Sequence, residues 1–346
     1  LGILIPPSVI LVIYAILTEQ NIAKLFLAAF VPGLLAALGY ILTISIYVRV
    51  NPEAAGVRAP VPWATRLRNF LDVWPVVLVF GLVVGGIYVG WFTPTEGAAV
   101  GAAGTGIIAL IGGNMSWTVF KEAILVTASS TAMIFFIVLG AGIYNGFLAL
   151  TQVPQELADW VVGQGFSPWT VLALVLVFYL VFGCLMDSLS MILLTIPIFF
   201  PVISLMDFGF VDLAAMQAEA AREVLAAGGP EGMAAEMLAA IREAMATGAE
   251  LSREQMQALG IRVTEGIANR IEAEQVAIWF GILVLIVVEV GLITPPVGMN
   301  LFIINTMDRT TPMADTYRAV IWFVTSDILR VILLVLFPGI TLFLLA

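Results

Sequence analysis

The sequence predicts an all-α, polytopic membrane protein, and three observations carry that prediction. Of 346 residues, 61% are hydrophobic and 11% charged, against about 45–50% and about 25% in ordinary soluble domains; the mean hydropathy is +1.08. Apolar runs near the length of a bilayer-spanning helix, about 20 residues, alternate with polar breaks. An apolar segment ending in Pro-Pro occurs twice, at Gly2–Pro7 and Gly291–Pro296.

Taken in order, the elements are these. The chain begins inside an apolar segment, with neither Met nor a signal-peptide pattern, and reads as lacking an N-terminal part. Residues 2–17 make one short apolar helix after Pro6-Pro7, and 25–48 make a full span. Residues 47–72 are polar and carry Arg49, Arg58, Arg66 and Arg68, which places them in the cytoplasm. Apolar segments follow at 73–92, 97–113, 122–150, 168–183, 189–206, 276–292, 297–306 and 318–346. Alternation puts Thr93–Glu96 outside, the loop around Lys121 inside, the loop 151–167 outside, and the loop with Arg309 and Arg318 inside. The charge rule leaves open whether 168–206 is a re-entrant hairpin or two crossings.

Residues 207–275 break the pattern. They hold twelve acidic and five basic residues, a net of −7 within a total of −10. Segments 232–247 and 252–259 have the look of amphipathic helices, with Gly228-Gly229-Pro230 as punctuation. This is an acidic, soluble helical insert on the outer face, either a solvated cap or a docking surface. The expected divisions are 1–48 (end of a first repeat), 49–72 (Arg-rich linker), 73–206 (second repeat with its hairpin), 207–275 (insert) and 276–346 (second-repeat broken helix and last span).

Composition also narrows the chemistry. There is no His, and the one cysteine is Cys184. An imidazole metal site, a His-based triad and an intrachain disulfide are therefore excluded. With no paired acidic motif in an apolar segment, an enzyme is not expected. Nothing suggests nucleic acid as a partner, and no phosphate-cradling Gly-x-x-x-x-Gly-Lys loop is present. No cofactor is expected; the lipid bilayer is the partner that the composition demands.

The two Pro-Pro segments align at an offset of 289. Each precedes an apolar helix, a polar loop and a long final helix. The charge rule puts the loops on opposite sides, the signature of an inverted-repeat secondary transporter with broken helices. The first copy has none of the four apolar segments found upstream in the second, so roughly 130–150 residues are expected to precede it.

Three motifs carry chemistry. In Gly291–Asn300, Pro295 and Pro296 remove two backbone donors and Gly298 permits conformations other residues avoid. A helix broken there leaves free carbonyls and free N–H groups, which suit ions; Thr294 and Asn300 add side-chain oxygens. In Gly183–Ser190, Asp187, Ser188 and Ser190 divide an apolar run. A carboxylate at membrane depth costs roughly 2.5–3.5 kcal/mol and tends to face a cavity or a counter-charge; Asp187 is also a good helix cap. In Trp91–Gly97, Thr93 or Thr95 can cap a helix with Glu96 near its start, as a structural or gating turn. Pro6, Pro7 and Ser8 are the first-repeat counterparts of the second break. Glu289 lies just before that break and is read as steadying it, and Asp327 can pair with Arg330 three residues on.

Gly291–Asn300, Phe92–Glu96, Met186–Ser188 with Pro197 and Pro201 following, and Gly2–Ser8 together resemble the large membrane (permease) subunit of tripartite ATP-independent periplasmic (TRAP) transporters. The motifs fall in family order across nearly the whole chain. The resemblance implies a multi-pass protein of the bacterial inner membrane that works as a sodium-driven elevator. It implies import of an organic acid such as a C4-dicarboxylate or sialic acid, delivered by a periplasmic substrate-binding protein, with a small membrane subunit as partner. Sodium, as coupling ion, is implied near Gly183, Asp187, Thr294 and Gly298, largely on backbone carbonyls. The long acidic insert and the absent first hairpin depart from the family's pattern. A sodium/carboxylate carrier that works without a binding protein is the alternative.

Overall fold

The computed structural model describes residues 2–55, 61–230, 234–307 and 311–345. Arg58 and Arg309, used above to orient the chain, lie outside the described residues, as does the start of the predicted helix 232–247. Among the described residues every regular element is helical.

The turn at Gly2–Pro7 leads into α1 (Val9–Leu17), whose first turn is capped by Ser8. After Asn21 caps it, α2 runs over Ile22–Val50. The polar stretch that follows holds a helix, α3 (Trp63–Leu71), where the sequence suggested only a linker. Trp63, Leu67, Phe70 and Leu71 are exposed there, with Arg66 stacked 4.9 Å over the Trp63 ring. This apolar and basic pattern suits a helix lying at a membrane surface. It bends by 46° into α4 (Trp74–Tyr88). Helix α5 (Pro94–Ile111) and α6 (Trp117–Thr151) follow.

Residues 151–167, expected as a loop, contain α7 (Val153–Gly163). Pro154 sits at its first turn, and Ala158 is fully buried as α7 packs on α9. The segment has helical apolar spacing at Leu157, Trp160 and Val161. The alternation that placed it outside carries no information about its backbone. Next come α8 (Pro168–Gly183) and α9 (Ser188–Ser204), then α10 (Leu213–Ala226), α11 (Ala235–Thr247) and α12 (Arg253–Leu259) of the insert. Helix α13 (Glu265–Gly291) begins inside the acidic stretch and runs unbroken into the apolar core. The insert is thus fused to a core helix. After a break, α14 (Met299–Met307), α15 (Met313–Leu336) and α16 (Gly339–Leu342) complete the chain.

Five of these helices, α2, α5, α6, α13 and α15, are long and apolar enough to cross a membrane, and α3 and α4 pass the same test only when counted together as one bent span. The protein is an all-α, polytopic membrane protein. Helices α8 and α9, of 16 and 17 residues, rise about 24–26 Å, short of a hydrocarbon core of about 30 Å.

Helix α13 is the centre of the molecule. From Val276 to Val288 it is buried on every side, which is why its sequence is apolar all round rather than striped. Helices α1, α2, α8, α9 and α15 surround it. The Tyr14 ring of α1 lies so close to Gly281 that a methyl there would fall 2.3 Å from it. The Tyr14 hydroxyl donates to the Ala277 carbonyl at 2.6 Å, and Trp279 Nε1 donates to the Leu334 carbonyl at 2.9 Å. Each break is followed by a nine-residue helix, α1 or α14, and then a long one, α2 or α15. The two long helices pack on each other. Tyr40 and Phe323 meet edge to face at 5.4 Å, and a methyl on Gly39 would lie 3.0 Å from Ser326 Oγ.

The exit of α9 is pinned to α13. The Glu272 carboxylate accepts from the backbone N–H of Phe208, Gly209 and Phe210 at 3.0, 2.9 and 3.3 Å. Trp169, Phe208, Phe210 and Trp279 form a ring cluster beside it. The insert has its own small core of Ala221, Ile241, Leu251 and Leu259. There Gln217 accepts from Leu251 N–H at 2.7 Å and donates to the Val263 carbonyl at 3.2 Å. Replacing 212–262 with a short Gly-Ser linker is therefore expected to leave the membrane part folded, because the Glu272 clamp and ring cluster remain. A single monodisperse species in detergent checks this; aggregation would show that the insert supports the core.

Candidate functional site

The site forms where the tip of the α8–α9 hairpin meets the break between α13 and α14. Helix α8 ends at Gly183, and its last turn tightens as Leu185 and Met186 N–H both donate to the Phe182 carbonyl. Asp187 then caps α9: its carboxylate accepts from Leu189 and Ser190 N–H at 2.9 and 3.2 Å and from the Ser190 hydroxyl. Asp187 is exposed, whereas Ser188 is buried. Among the described residues the carbonyls of Gly183, Cys184, Leu185 and Met186 accept no hydrogen bond. The tip thus presents a run of free carbonyl dipoles, as a helix end broken by a cap must.

The second break is held open by specific bonds. Thr294 folds back, its hydroxyl donating to the Val290 carbonyl at 2.6 Å and its N–H to the Gly291 carbonyl at 2.9 Å. Gly298 adopts φ 58°, a left-handed turn that favours glycine. Asn300 N–H then donates across the break to the Leu292 carbonyl at 3.1 Å. Tyr317 of α15 donates its hydroxyl to the Pro296 and Val297 carbonyls at 2.9 and 3.2 Å. Among the described residues the carbonyls of Ile293, Thr294 and Pro295 stay unpaired.

Two glycines bring tip and break together. A methyl on Gly291 would fall 2.7 Å from Gly183 Cα and 2.8 Å from its carbonyl carbon; one on Gly183 would fall 3.1 Å from the Val288 oxygen. Glycine at 291 is what permits this backbone contact, and a methyl at 183 would be tight against it. The result is two sets of unpaired carbonyls on touching segments, donors suited to a small hard cation such as sodium.

Beside the second break lies a cavity of about 210 Å³. Leu4 of the first break and Ile293 and Asn300 of the second line it, with Tyr40, Glu289, Asp327 and Arg330. Of the predicted residues, Glu289 and Asn300 line this cavity, Gly183 and Gly291 meet in the backbone contact, and Thr294 folds back on the break; the first break adjoins the cavity through Leu4. Ser8 caps α1, Leu11 N–H lying 3.4 Å from its Oγ. Both Pro6-Pro7 and Pro295-Pro296 are cis. The Thr93–Glu96 turn is a reciprocal cap of α5. Thr93 N–H donates to Glu96 Oε2 at 2.8 Å, and Glu96 N–H to Thr93 Oγ1 at 3.3 Å. Thr93, not Thr95, is the capping residue.

Sequence reasoning missed Tyr317, Tyr40 and the glycine contact. Only Asp327 and Arg330 carried a signal, their spacing of three, and they do pair at 3.0 Å. Because Asp187 caps α9, Asp187→Ala is expected to cost about 0.5–2 kcal/mol of local stability, while Asp187→Ser retains a cap. If both variants lose solute uptake equally, the carboxylate itself is needed; if Ser restores it, capping suffices.

A family model described as the tripartite ATP-independent periplasmic transporter, DctM component, matches residues 1–340. The chain is 32% identical over 346 residues to the C4-dicarboxylate TRAP transporter large permease protein DctM of Pseudomonas aeruginosa, covering 99% of this chain and 64% of that protein. A C4-dicarboxylate permease of Vibrio cholerae is 27% identical over 344 residues, covering 93% of this chain and 60% of the relative. The sialic acid TRAP transporter large permease protein SiaM of Vibrio cholerae is 31% identical over 209 residues, 59% of this chain and 48% of the relative. The chain thus spans less than two thirds of the length of these curated relatives.

Proposed function

The chain belongs to the DctM component family of tripartite ATP-independent periplasmic transporters, and from that premise we propose that it carries the transport site of a sodium-coupled organic-acid importer. The observation that carries this reading is the Gly183–Gly291 contact, which joins the free carbonyls of hairpin tip and broken helix. Sodium ions are the coupling ions, held by those carbonyls near Gly183, Thr294 and Gly298, with Asp187 holding the tip in shape. The substrate is an organic acid. The names of the relatives, C4-dicarboxylate and sialic acid permeases, support that class.

In this reading α8, α9 and α13 move as one body in an elevator cycle, since the Glu272 clamp and the ring cluster tie them together. The short α8–α9 hairpin enters and leaves the bilayer on one side. The protein works in the bacterial inner membrane with a small membrane subunit, and a periplasmic binding protein delivers the substrate to the face that bears the insert. The test is uptake of labelled dicarboxylates and sialic acid by the full-length permease and its small subunit in liposomes, with and without a sodium gradient and the binding protein. Dependence on both supports the reading. Dependence on sodium alone favours a carrier that works without a binding protein.

A further inference from the structure

We propose that α3 is a docking element for anionic phospholipid headgroups, with Arg66 and Arg68 as the side chains that hold the phosphate. At 3.6 residues per turn, Trp63, Leu67, Phe70 and Leu71 share one side of the helix, spaced i, i+4, i+7 and i+8. Thr65 and Asn69 lie on the opposite side, and Arg66 and Arg68 flank the apolar side, one at each edge. No residue of the helix is buried; Trp63 is 81% exposed and Phe70 71%. Aromatic surface of that extent is unfavourable in water, whereas an amphipathic helix with Trp on one face and Arg at its edges settles at the bilayer interface. The apolar run 73–92 is by itself of spanning length, about 20 residues, so α3 is free to lie in the interface beyond the 46° bend. Its apolar side is continuous in sequence with Val76, Val77 and Leu78 of α4, which are exposed too.

Charge selects the occupant. Residues 49–72 hold four arginines against Glu53 and Asp72, and α3 itself carries no acidic residue. Among the described residues neither Arg66 nor Arg68 is paired with a carboxylate. The Arg66 guanidinium lies 4.9 Å over the Trp63 ring, a cation–π contact that fixes the charge at the depth of an interfacial ring. A guanidinium matches a phosphate two hydrogen bonds at a time. The arginines also place this stretch on the cytoplasmic side, where anionic headgroups give the leaflet its negative surface potential. A zwitterionic headgroup offers the same phosphate together with its own cation, so the lipid that fits the two arginines is one of net negative charge. This inference does not depend on the sodium site.

The experiment is native mass spectrometry of the purified full-length permease with its small subunit, titrated in detergent with phosphatidylglycerol or with phosphatidylcholine. Phosphatidylglycerol is expected to be retained at the lower concentration. One basic side chain at an anionic surface is worth roughly fivefold in affinity. Arg66→Gln and Arg68→Gln are therefore each expected to need about fivefold more phosphatidylglycerol, and the double variant roughly 25-fold more. Arg318→Gln, which removes an exposed arginine on α15, should bind as wild type. Equal retention of the two lipids by the wild type, or wild-type retention in the double variant, overturns the proposal. So does a double variant that sheds the small subunit yet keeps the lipid, which would make this face a protein interface. If the double variant is not recovered, the single variants decide: wild-type retention in both overturns it.

Discussion

Gly291→Ala is expected to weaken sodium-dependent uptake, raising the sodium it requires, while leaving the permease folded in the membrane. The added methyl would lie 2.7 Å from Gly183 Cα and 2.8 Å from its carbonyl carbon, inside any permitted contact with backbone atoms that have no rotamer to change. The hairpin tip must retreat. Overpacking of this kind costs about 1–3 kcal/mol, which corresponds to roughly 5- to 150-fold in affinity if it falls wholly on the ion site. The rest of α13 stays buried among α1, α2 and α15, so membrane insertion survives. Gly183→Ala acts in the same direction but less strongly, because its methyl meets the Val288 oxygen at 3.1 Å. Uptake into liposomes at several sodium concentrations checks this: the variant needs more sodium for half-maximal uptake, and wild-type sodium dependence would contradict the expectation.

Replacing Pro295 and Pro296 together with Ala is expected to uncouple transport from sodium. The two new N–H groups face the carbonyls of Gly291 and Leu292 if α13 extends by a turn. Those carbonyls now accept from Thr294 and Asn300, so the extended helix competes directly with the bonds that hold the break open. Gly298, at φ 58°, still allows a turn further along, so the chain remains folded. The break shifts, the free carbonyls of Ile293 to Pro295 move, and the Tyr317 tether to Pro296 and Val297 is lost. The ratio of uptake with and without a sodium gradient is expected to fall towards unity. A ratio equal to wild type would show that the break does not hold the ion.

Much of this architecture was legible from local chemistry. Runs of about twenty apolar residues give spans, and two prolines with glycine in an apolar run force a broken helix. An Asp-Ser pair between two short apolar runs gives a capped hairpin tip. The pairing of Asp327 with Arg330 followed from helical spacing. What was not legible is long-range. Nothing near Gly183 says that Gly291 lies against it, and nothing near Tyr40 says that its hydroxyl meets Asp327. Tyr317 holds a break twenty residues upstream through backbone carbonyls, which leave no trace in side-chain pattern. Helix α7 is not legible because a polar break between two apolar segments reads as a loop. Its Ala158 shows instead a short helix that owes its place to packing on α9. The fusion of the insert to α13 was hidden because the composition changes near residue 276 while the backbone does not.

Hairpin tip and broken helix are proposed to hold sodium together. Thermal stability of the purified full-length permease, measured in sodium and in potassium at matched ionic strength, tests it most directly. A ligand that binds only the folded state stabilises it by about 2.7 kcal/mol at a hundredfold excess over its dissociation constant. A stabilisation specific to sodium is expected, lost or shifted to much higher concentration in Gly291→Ala and in the Pro295→Ala/Pro296→Ala double variant. Sodium stabilisation of undiminished size and midpoint in both variants would contradict it.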